Sequence, residues 1–142
     1  MRSFTRDPRG VRVAADNAKT VLVIDDASLV RLYYRGALEG AGFRVLEALN
    51  GLEALETLLG TAVDLLVVDV NMPQMDGLTF LRALRGKELP LSSIPALVIS
   101  SEGQAQDMAA ARAAGANFYL VKPLDQDLLV TYASLLCGCG DE

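Results

Sequence analysis

The stretch VLVIDDASLV, residues 21–30, sets four apolar residues directly before two adjacent carboxylates, Asp25 and Asp26. A short β-branched apolar run that gives way to polar residues is typical of a buried strand. Two neighbouring carboxylates repel each other, so their place at the end of such a strand is unfavourable unless a cation lies close by. The stretch therefore predicts a buried strand that brings two acidic groups to a site.

Similar apolar runs recur along the chain and alternate with helix-like segments. The predicted strands are residues 20–24, 43–48, 64–69, 96–100 and 117–121. The predicted helices, with apolar residues three and four apart, are residues 28–42, 51–60, 76–86, 103–116 and 124–136. Ser28 is the expected N-cap of the first helix. This alternation predicts a single α/β domain with a parallel sheet covered on both faces.

The net charge of −5 is unevenly distributed along the 142 residues. Residues 1–19 carry five basic and two acidic side chains, whereas the remaining chain carries eight basic and sixteen acidic ones. We expect residues 1–19 to be a mobile basic extension, with a partner-binding arm as the alternative. The acidic body argues against a nucleic-acid surface.

Hydropathy and cysteine content indicate in which cellular compartment the protein is expected. No apolar run reaches the ~18 residues that a membrane span needs, and residues 1–19 lack the apolar core of a secretory signal. The chain has no histidine, and its two cysteines are Cys137 and Cys139. We therefore expect no disulfide framework, a cytoplasmic setting, and an exposed tail at the CGCG stretch rather than a metal site.

Polar residues stand at the ends of four predicted strands. Asp25 and Asp26 follow the first strand, Asp69 ends the third, Ser100 ends the fourth, and Lys122 follows the fifth. The carboxyl ends of parallel strands share one edge of the sheet, where open α/β sheets hold their ligands. We therefore expect three carboxylates, a hydroxyl and an amine to converge there.

Three carboxylates in one pocket require more positive charge than Lys122 supplies. A hard divalent cation is the natural complement, and Mg²⁺ accepts a few carboxylates together with waters and a substrate phosphate. Zinc or copper would need histidine or cysteine ligands, which these strand ends lack. The sequence thus predicts a Mg²⁺ site.

The missing motifs narrow the chemistry further. The sequence has no G-x-G-x-x-G or Walker lysine loop to cradle a nucleotide, and no histidine for base catalysis. An aspartate can itself attack a phosphoryl group and form an acyl phosphate. A metal, a lysine and a hydroxyl around it would neutralise the phosphoryl oxygens, so the predicted site is a phosphoryl acceptor.

Four segments resemble a known family. They are VIDDAS (23–28), VVDVNMPQMDG (67–77), VISSE (98–102) and YLVKP (119–123), similar in type and order to the signature segments of response-regulator receiver domains. The resemblance covers residues 20–137. It implies a (βα)5 doubly wound, flavodoxin/CheY-like fold with a five-stranded parallel sheet of order 2-1-3-4-5.

The resemblance also implies roles for the site residues. Asp69 is the phosphoacceptor, and Lys122 pairs first with Asp69 and then with the phosphoryl oxygens. Asp26 binds Mg²⁺ directly, Asp25 holds it through water, and the backbone carbonyl of Asn71 completes the protein ligands with Asp69.

Three further positions are implied to act on the phosphorylated state. Ser100, where the family has serine or threonine, hydrogen-bonds the phosphoryl group, and Tyr119 is the switch aromatic. Asn71 and Glu102 occupy positions that tune dephosphorylation.

A stand-alone receiver is the function that this resemblance implies. A histidine kinase or histidine phosphotransfer protein phosphorylates Asp69, and the face of the fourth helix, fifth strand and fifth helix changes its contacts with a downstream protein. The chain catalyses its own phosphorylation and dephosphorylation and is not a turnover enzyme. We expect no direct nucleic-acid contact and no membrane insertion, with residues 1–19 as an extension, 20–137 as the receiver and 138–142 as a tail.

Three other interpretations stay open from the sequence. In the first, the chain is a receiver fragment of a longer transcriptional regulator. A Mg²⁺-dependent phosphohydrolase would share the aspartate nucleophile, although its D-x-D arrangement is absent here. A flavodoxin-like cofactor binder would need a Ser/Thr/Gly-rich loop after the first strand, which is also absent.

Overall fold

The computed structural model of the chain describes residues 4–6, 12–14 and 18–138, the first two segments in their backbone only. The main sheet of these residues consists of β1 (Thr20–Ile24), β2 (Arg44–Ala48), β3 (Leu65–Asp69), β4 (Ala96–Ser100) and β5 (Phe118–Val121). Neighbouring strands are parallel, and their order across the sheet is β2-β1-β3-β4-β5. The predicted α/β fold and its strand order 2-1-3-4-5 are confirmed.

Helices follow the strands along the described chain. They are α1 (Ser28–Gly40), α2 (Gly51–Gly60), α3 (Gly77–Arg85), α4 (Ala105–Ala114) and α5 (Gln126–Cys137), with a short 3-10 turn at Leu91–Ser93. Residues of α1 and α5 join the core on one face of the sheet, and residues of α2, α3 and α4 join the core on the other. Among the described residues, no helix has the length and apolar character to cross a bilayer.

Burial of the strands explains why the apolar runs are continuous rather than alternating. Every residue of β1, β3 and β4 is buried, whereas the edge strands β2 and β5 are partly exposed. Along β1, Leu22 and Ile24 join one core, and Val21 and Val23 join the other. A strand covered by helices on both faces needs apolar residues at every position.

Side-chain caps begin three of the helices. Asn50, Asp76 and Asp125 accept hydrogen bonds from the first-turn amides of α2, α3 and α5. The prediction that Ser28 caps α1 is wrong, because Ser28 is already helical and Ala27 is the N-cap. The reason lies in the preceding turn: the Ala27 amide donates to Asp25 Oδ1 at 2.9 Å, so the carboxylate of Asp25 organises the entry into α1.

The structure near the two ends of the chain adds a ribbon to the expected basic extension and corrects the expected exposed tail. Phe4–Arg6 and Arg12–Ala14 form an antiparallel ribbon, which the sequence did not predict, and Arg12–Ala14 lies beside α1. The expected mobility of residues 1–19 stays a prediction. Cys137 is half-buried at the end of α5 and packs against the core, so it is not part of an exposed tail. Cys139 lies outside the described residues.

Candidate functional site

The sheet brings polar residues from four strands to one edge. Asp25 directly follows β1, Asp69 and Ser100 end β3 and β4, and Lys122 directly follows β5. The register pairs Asp69 with Ile99, one residue before Ser100, and the Lys122 amide donates to the Ser100 carbonyl at 2.8 Å. The strand ends are therefore level with one another, which is what allows distant parts of the chain to share a site.

Three carboxylates and one amine form the centre of this edge. One carboxylate oxygen each from Asp25, Asp26 and Asp69 lie within 4.8 Å of one another. Lys122 Nζ donates to Asp69 Oδ1 at 3.1 Å and lies 3.7 Å from Asp25 Oδ2. Asp25 and Asp69 are buried, whereas Asp26 is exposed. The cluster is thus a buried acidic pair beside a lysine, with its third carboxylate at the solvent side.

Burial and mutual repulsion make the cluster electrostatically unbalanced. Burial raises the pKa of Asp25 above the ordinary value of 3.8, which the Ala27 amide and Lys122 partly offset. Burial also raises the pKa of Asp69, repulsion from Asp25 adds to this, and the hydrogen bond from Lys122 lowers it. One lysine does not offset three carboxylates, so the cluster favours an added cation.

One carboxylate oxygen indicates that the cluster is suited to a metal ion. Asp25 Oδ2 is buried and accepts no hydrogen bond from any described residue, since Lys122 Nζ remains 3.7 Å away, and such an arrangement is unfavourable in a protein interior. A cation beside Asp25, Asp26 and Asp69 would satisfy this oxygen. The three side chains offer only oxygen donors, which suit Mg²⁺ and not a metal that prefers nitrogen or sulfur.

The loop after β3 is packed unusually closely against the start of α3. Gly77 donates its amide to the Val70 carbonyl at 3.0 Å, and a β-carbon at Gly77 would lie 2.2 Å from the Asp69 carbonyl oxygen. Only glycine permits this approach. Asn71, which was predicted to offer its carbonyl to the cation, is exposed on this loop, two residues beyond Asp69.

Two hydrogen bonds connect the predicted switch residues through the loop after β4. Ser100 is 1% exposed, and its Oγ accepts from the Glu102 amide at 3.0 Å. The Tyr119 hydroxyl donates to the Glu102 carbonyl, and the half-buried Tyr119 packs against the core beneath α2, α3 and α4. The exposed Glu102 therefore joins Ser100 to Tyr119.

Sequence reasoning missed a second arrangement next to the cluster. Arg31, on α1, donates from Nη1 to the Asp25 carbonyl and from Nε to Glu47 Oε1, each at 2.7 Å. Neither Arg31 nor Glu47 lies in a signature segment. The sequence shows only an arginine within a predicted helix. Its pairing with Glu47 becomes apparent only when β2 is placed beside α1.

Comparison with known proteins identifies the class of protein that this fold and site define. The family model described as the response regulator receiver domain matches residues 21–134. The chain belongs to the response regulator receiver domain family of two-component systems. Receiver domains are phosphoacceptor switches and not enzymes that turn over a substrate.

Two curated relatives contain this domain within longer chains. The chain is 40% identical over 103 residues to the transcriptional regulatory protein PrrA of Mycobacterium leprae, which is 72% of this chain and 43% of PrrA. It is 30% identical over 112 residues to the CAI-1 autoinducer sensor kinase/phosphatase CqsS of Vibrio cholerae, which is 79% of this chain and 16% of CqsS. The chain thus matches less than half the length of either relative.

Solved receiver structures match over nearly their whole length. A putative response regulator from Chloroflexus aurantiacus is 32% identical with a TM-score of 0.80, over 86% of this chain and 99% of that one. The chemotaxis protein CheY4 of Vibrio cholerae is 30% identical with a TM-score of 0.78, over 84% of this chain and 98% of that one. These similarities confirm the CheY-like fold.

Proposed function

We propose that this chain accepts a phosphoryl group on Asp69 from the phosphohistidine of a histidine kinase or histidine phosphotransfer protein and signals by changing its protein contacts. The main support is the position of the Asp69 carboxylate. It lies in one cluster with Asp25 and Asp26, and Lys122 hydrogen-bonds it at 3.1 Å.

The proposed transfer uses Asp69 as the nucleophile. A carboxylate oxygen of Asp69 bonds to phosphorus while the bond between phosphorus and the donor's imidazole nitrogen breaks, and the nitrogen keeps the electron pair. Lys122 and the Ser100 hydroxyl then donate to the phosphoryl oxygens. Attack of water on phosphorus later releases inorganic phosphate and restores the carboxylate, at a rate that Asn71 and Glu102 tune from the flanking loops.

A Mg²⁺ ion would be held by Asp25, Asp26, Asp69 and the carbonyl of Asn71. When bound, it supplies positive charge beside the phosphoryl oxygens. Two observations support this assignment: Asp25 Oδ2 accepts no hydrogen bond from the described residues, and the donor set consists of oxygens only.

The signal would pass from Ser100 to the surface. Added negative charge on Asp69 attracts the Ser100 hydroxyl, which then gives up its contact with the Glu102 amide, and the loop and Tyr119 move together. A coupling of about 1–3 kcal/mol is typical of such switches. The α4-β5-α5 face carries exposed apolar side chains that suit a downstream protein: Met108, Phe118, Val121, Leu128 and Leu135.

The phosphodonor is proposed to bind beside Lys122. An apolar groove of about 520 Å³ adjoins this lysine and is lined by residues of α1 and of the loop before α5, among them Leu29, Tyr33, Pro123 and Leu124. The Tyr33 hydroxyl donates to the Leu124 carbonyl at 3.1 Å and fixes the two walls relative to each other. A phosphohistidine has to approach Asp69 from the solvent side, and we propose that the donor protein contacts this groove as it does so.

We assign the receiver to residues 20–137, a basic extension to 1–19 and a tail to 138–142, in a cytoplasmic setting. A stand-alone receiver is the first candidate, supported by CheY4, 98% of whose chain is matched. A receiver module of a longer transcriptional regulator is the second, supported by the 40% identity to PrrA.

The proposal is tested with acetyl phosphate as the phosphodonor and MgCl2 present. We expect one phosphoryl group per chain by intact mass, lost in Asp69→Asn and kept in the matched control Asp64→Asn, at the opposite end of β3. No hydrolysis of the monoester p-nitrophenyl phosphate is expected. Labelling that persists in Asp69→Asn, or steady ester turnover, would contradict the proposal.

A further inference from the structure

We propose that Arg31 is a positioning residue for the cation site. It holds the peptide that joins Asp25 to Asp26 and so directs the Asp26 carboxylate toward Asp69. The inference rests on the proposed function, in which these carboxylates hold a divalent cation, and it adds a residue outside the signature segments.

The contacts of Arg31 support this role. Its side chain is only 12% exposed, and Nη1 donates to the Asp25 carbonyl at 2.7 Å. That carbonyl belongs to the peptide between Asp25 and Asp26. Because a peptide unit is planar, holding its oxygen restrains the Asp26 nitrogen and Cα, from which the Asp26 side chain projects.

Arg31 is itself anchored on β2. Its Nε donates to Glu47 Oε1 at 2.7 Å, and Arg35 binds the other oxygen of Glu47 as well as the Val45 carbonyl. The hydrogen bond from Arg31 lowers the pKa of Glu47. The guanidinium fork can hold a carboxylate and a carbonyl at fixed angles, which an ammonium group cannot.

Hydrogen bonds hold Asp25 more firmly than Asp26. The Asp25 amide donates to the Ala48 carbonyl at 3.1 Å, and Asp25 Oδ1 accepts from Ala27. Asp25 is thus held by the Ala48 carbonyl of β2, by the Ala27 amide and by Arg31, and Lys122 Nζ lies 3.7 Å from its Oδ2. Asp26 is exposed, so the peptide before it is what sets its direction.

A positioning role and a purely electrostatic role of Arg31 predict opposite effects of its removal on Mg²⁺ affinity. If Arg31 acted mainly as a nearby positive charge, its loss would reduce repulsion and strengthen Mg²⁺ binding. If it acts by position, its loss weakens Mg²⁺ binding, since outer residues that orient metal ligands commonly contribute about 10–100-fold in affinity.

The test is calorimetric titration of the full chain with MgCl2. We expect a dissociation constant about tenfold higher in both Arg31→Gln and Arg31→Lys. Arg35→Gln is the matched control, because Arg35 shares Glu47 but does not touch Asp25, and we expect it to bind Mg²⁺ as the unsubstituted chain does. With acetyl phosphate, the Mg²⁺ concentration for half-maximal labelling should rise in the Arg31 variants, while the rate at saturating Mg²⁺ stays unchanged.

Equal or tighter Mg²⁺ binding in the Arg31 variants would overturn the inference, as would an equal loss in Arg35→Gln. If Arg31→Gln fails to fold, Glu47→Gln weakens the anchor while keeping its size, and an unchanged affinity there would also count against it. Failure of the proposed function looks different. The unsubstituted chain would then bind Mg²⁺ without accepting a phosphoryl group, and the Arg31 comparison would still be decided by the titration.

Discussion

The two buried carboxylates of the site are held in different ways. Asp25 accepts a hydrogen bond from a main-chain amide on one oxygen, and its other oxygen accepts none from the part of the chain that the structure describes. Asp69 is hydrogen-bonded by Lys122, and burial and Asp25 still raise its pKa. The Asp25 carboxylate is therefore held by the main chain, as its proposed role in binding a cation requires, whereas the Asp69 carboxylate is held by a side-chain amine. This difference suits one group that binds and one group that reacts.

Lys122→Ala is expected to keep the fold and lose the response to phosphorylation. Removing a charged hydrogen-bond partner costs about 1.5–3 kcal/mol of stability, and Mg²⁺ binding should tighten because the competing amine is gone. In the unsubstituted chain with Mg²⁺ already present, adding beryllofluoride, a phosphoryl mimic, should raise the melting temperature further. This rise should disappear in Lys122→Ala.

The exposed Lys87 provides the matched control for this experiment. Lys87→Ala should retain the full rise in melting temperature with beryllofluoride. A Lys122→Ala protein that is stabilised as strongly as the unsubstituted chain would refute the assigned role of the lysine.

Single residues of the site were predictable where the strand pattern marked them. Asp25, Asp69 and Lys122 interrupt or end apolar runs, and parallel strands place such residues at one edge. Arg31 could not be found in this way, because this residue of α1 binds a main-chain carbonyl and a side chain of β2. Contacts to the main chain depend on the assembled backbone and leave no pattern in the sequence.

At the scale of elements, a second arginine joins four segments at the opposite end of the sheet. Arg85, in the last turn of α3, donates to the carbonyls of Gly115, Ser92 and Ile94 at 2.7–3.2 Å and to the Asn117 side chain at 3.4 Å. Burial lowers the pKa of Arg85. These bonds tie α3 to the 3-10 turn and the residue after it, to the end of α4 and to the residue that precedes β5.

Arg85→Ala is expected to destabilise the fold without affecting the site. Loss of bonds to several carbonyls should cost about 2–3 kcal/mol, which lowers the melting temperature by roughly 5–10 °C for a domain of this size. Arg82→Ala, an exposed arginine on the same helix, should change it by less than about 2 °C. Mg²⁺ affinity should stay constant in both, and a weakened affinity in Arg85→Ala would contradict the separation of the two ends.

Elements were predictable from the sequence to the extent that burial determines them. Each strand is found within one residue of its prediction, because the sheet is covered on both faces and its strands are short apolar runs. The cap of α1 was misassigned because Asp25, not Ser28, organises that turn. The ribbon of Phe4–Arg6 and Arg12–Ala14 is too short to show any period.

At the scale of the whole molecule, the apolar cores that stabilise the fold and the candidate site occupy different parts of the sheet. Two apolar cores lie on its two faces, and the carboxylate cluster lies at the edge where the strands end. Exposed apolar residues occur on α4, β5 and α5, and β5 leads directly into Lys122. This arrangement suits the proposal that a change at Asp69 passes through β5 and the loop after β4 to the α4-β5-α5 face while both cores stay intact.

The most direct test of the central claim is a crystal structure of the chain grown with MgCl2 and beryllofluoride. The account predicts beryllium bonded to a carboxylate oxygen of Asp69, one Mg²⁺ ion shared by Asp25, Asp26 and Asp69, and fluorine atoms contacted by Lys122 and Ser100. Beryllofluoride bound at another residue, or a metal ion placed away from the three carboxylates, would contradict it.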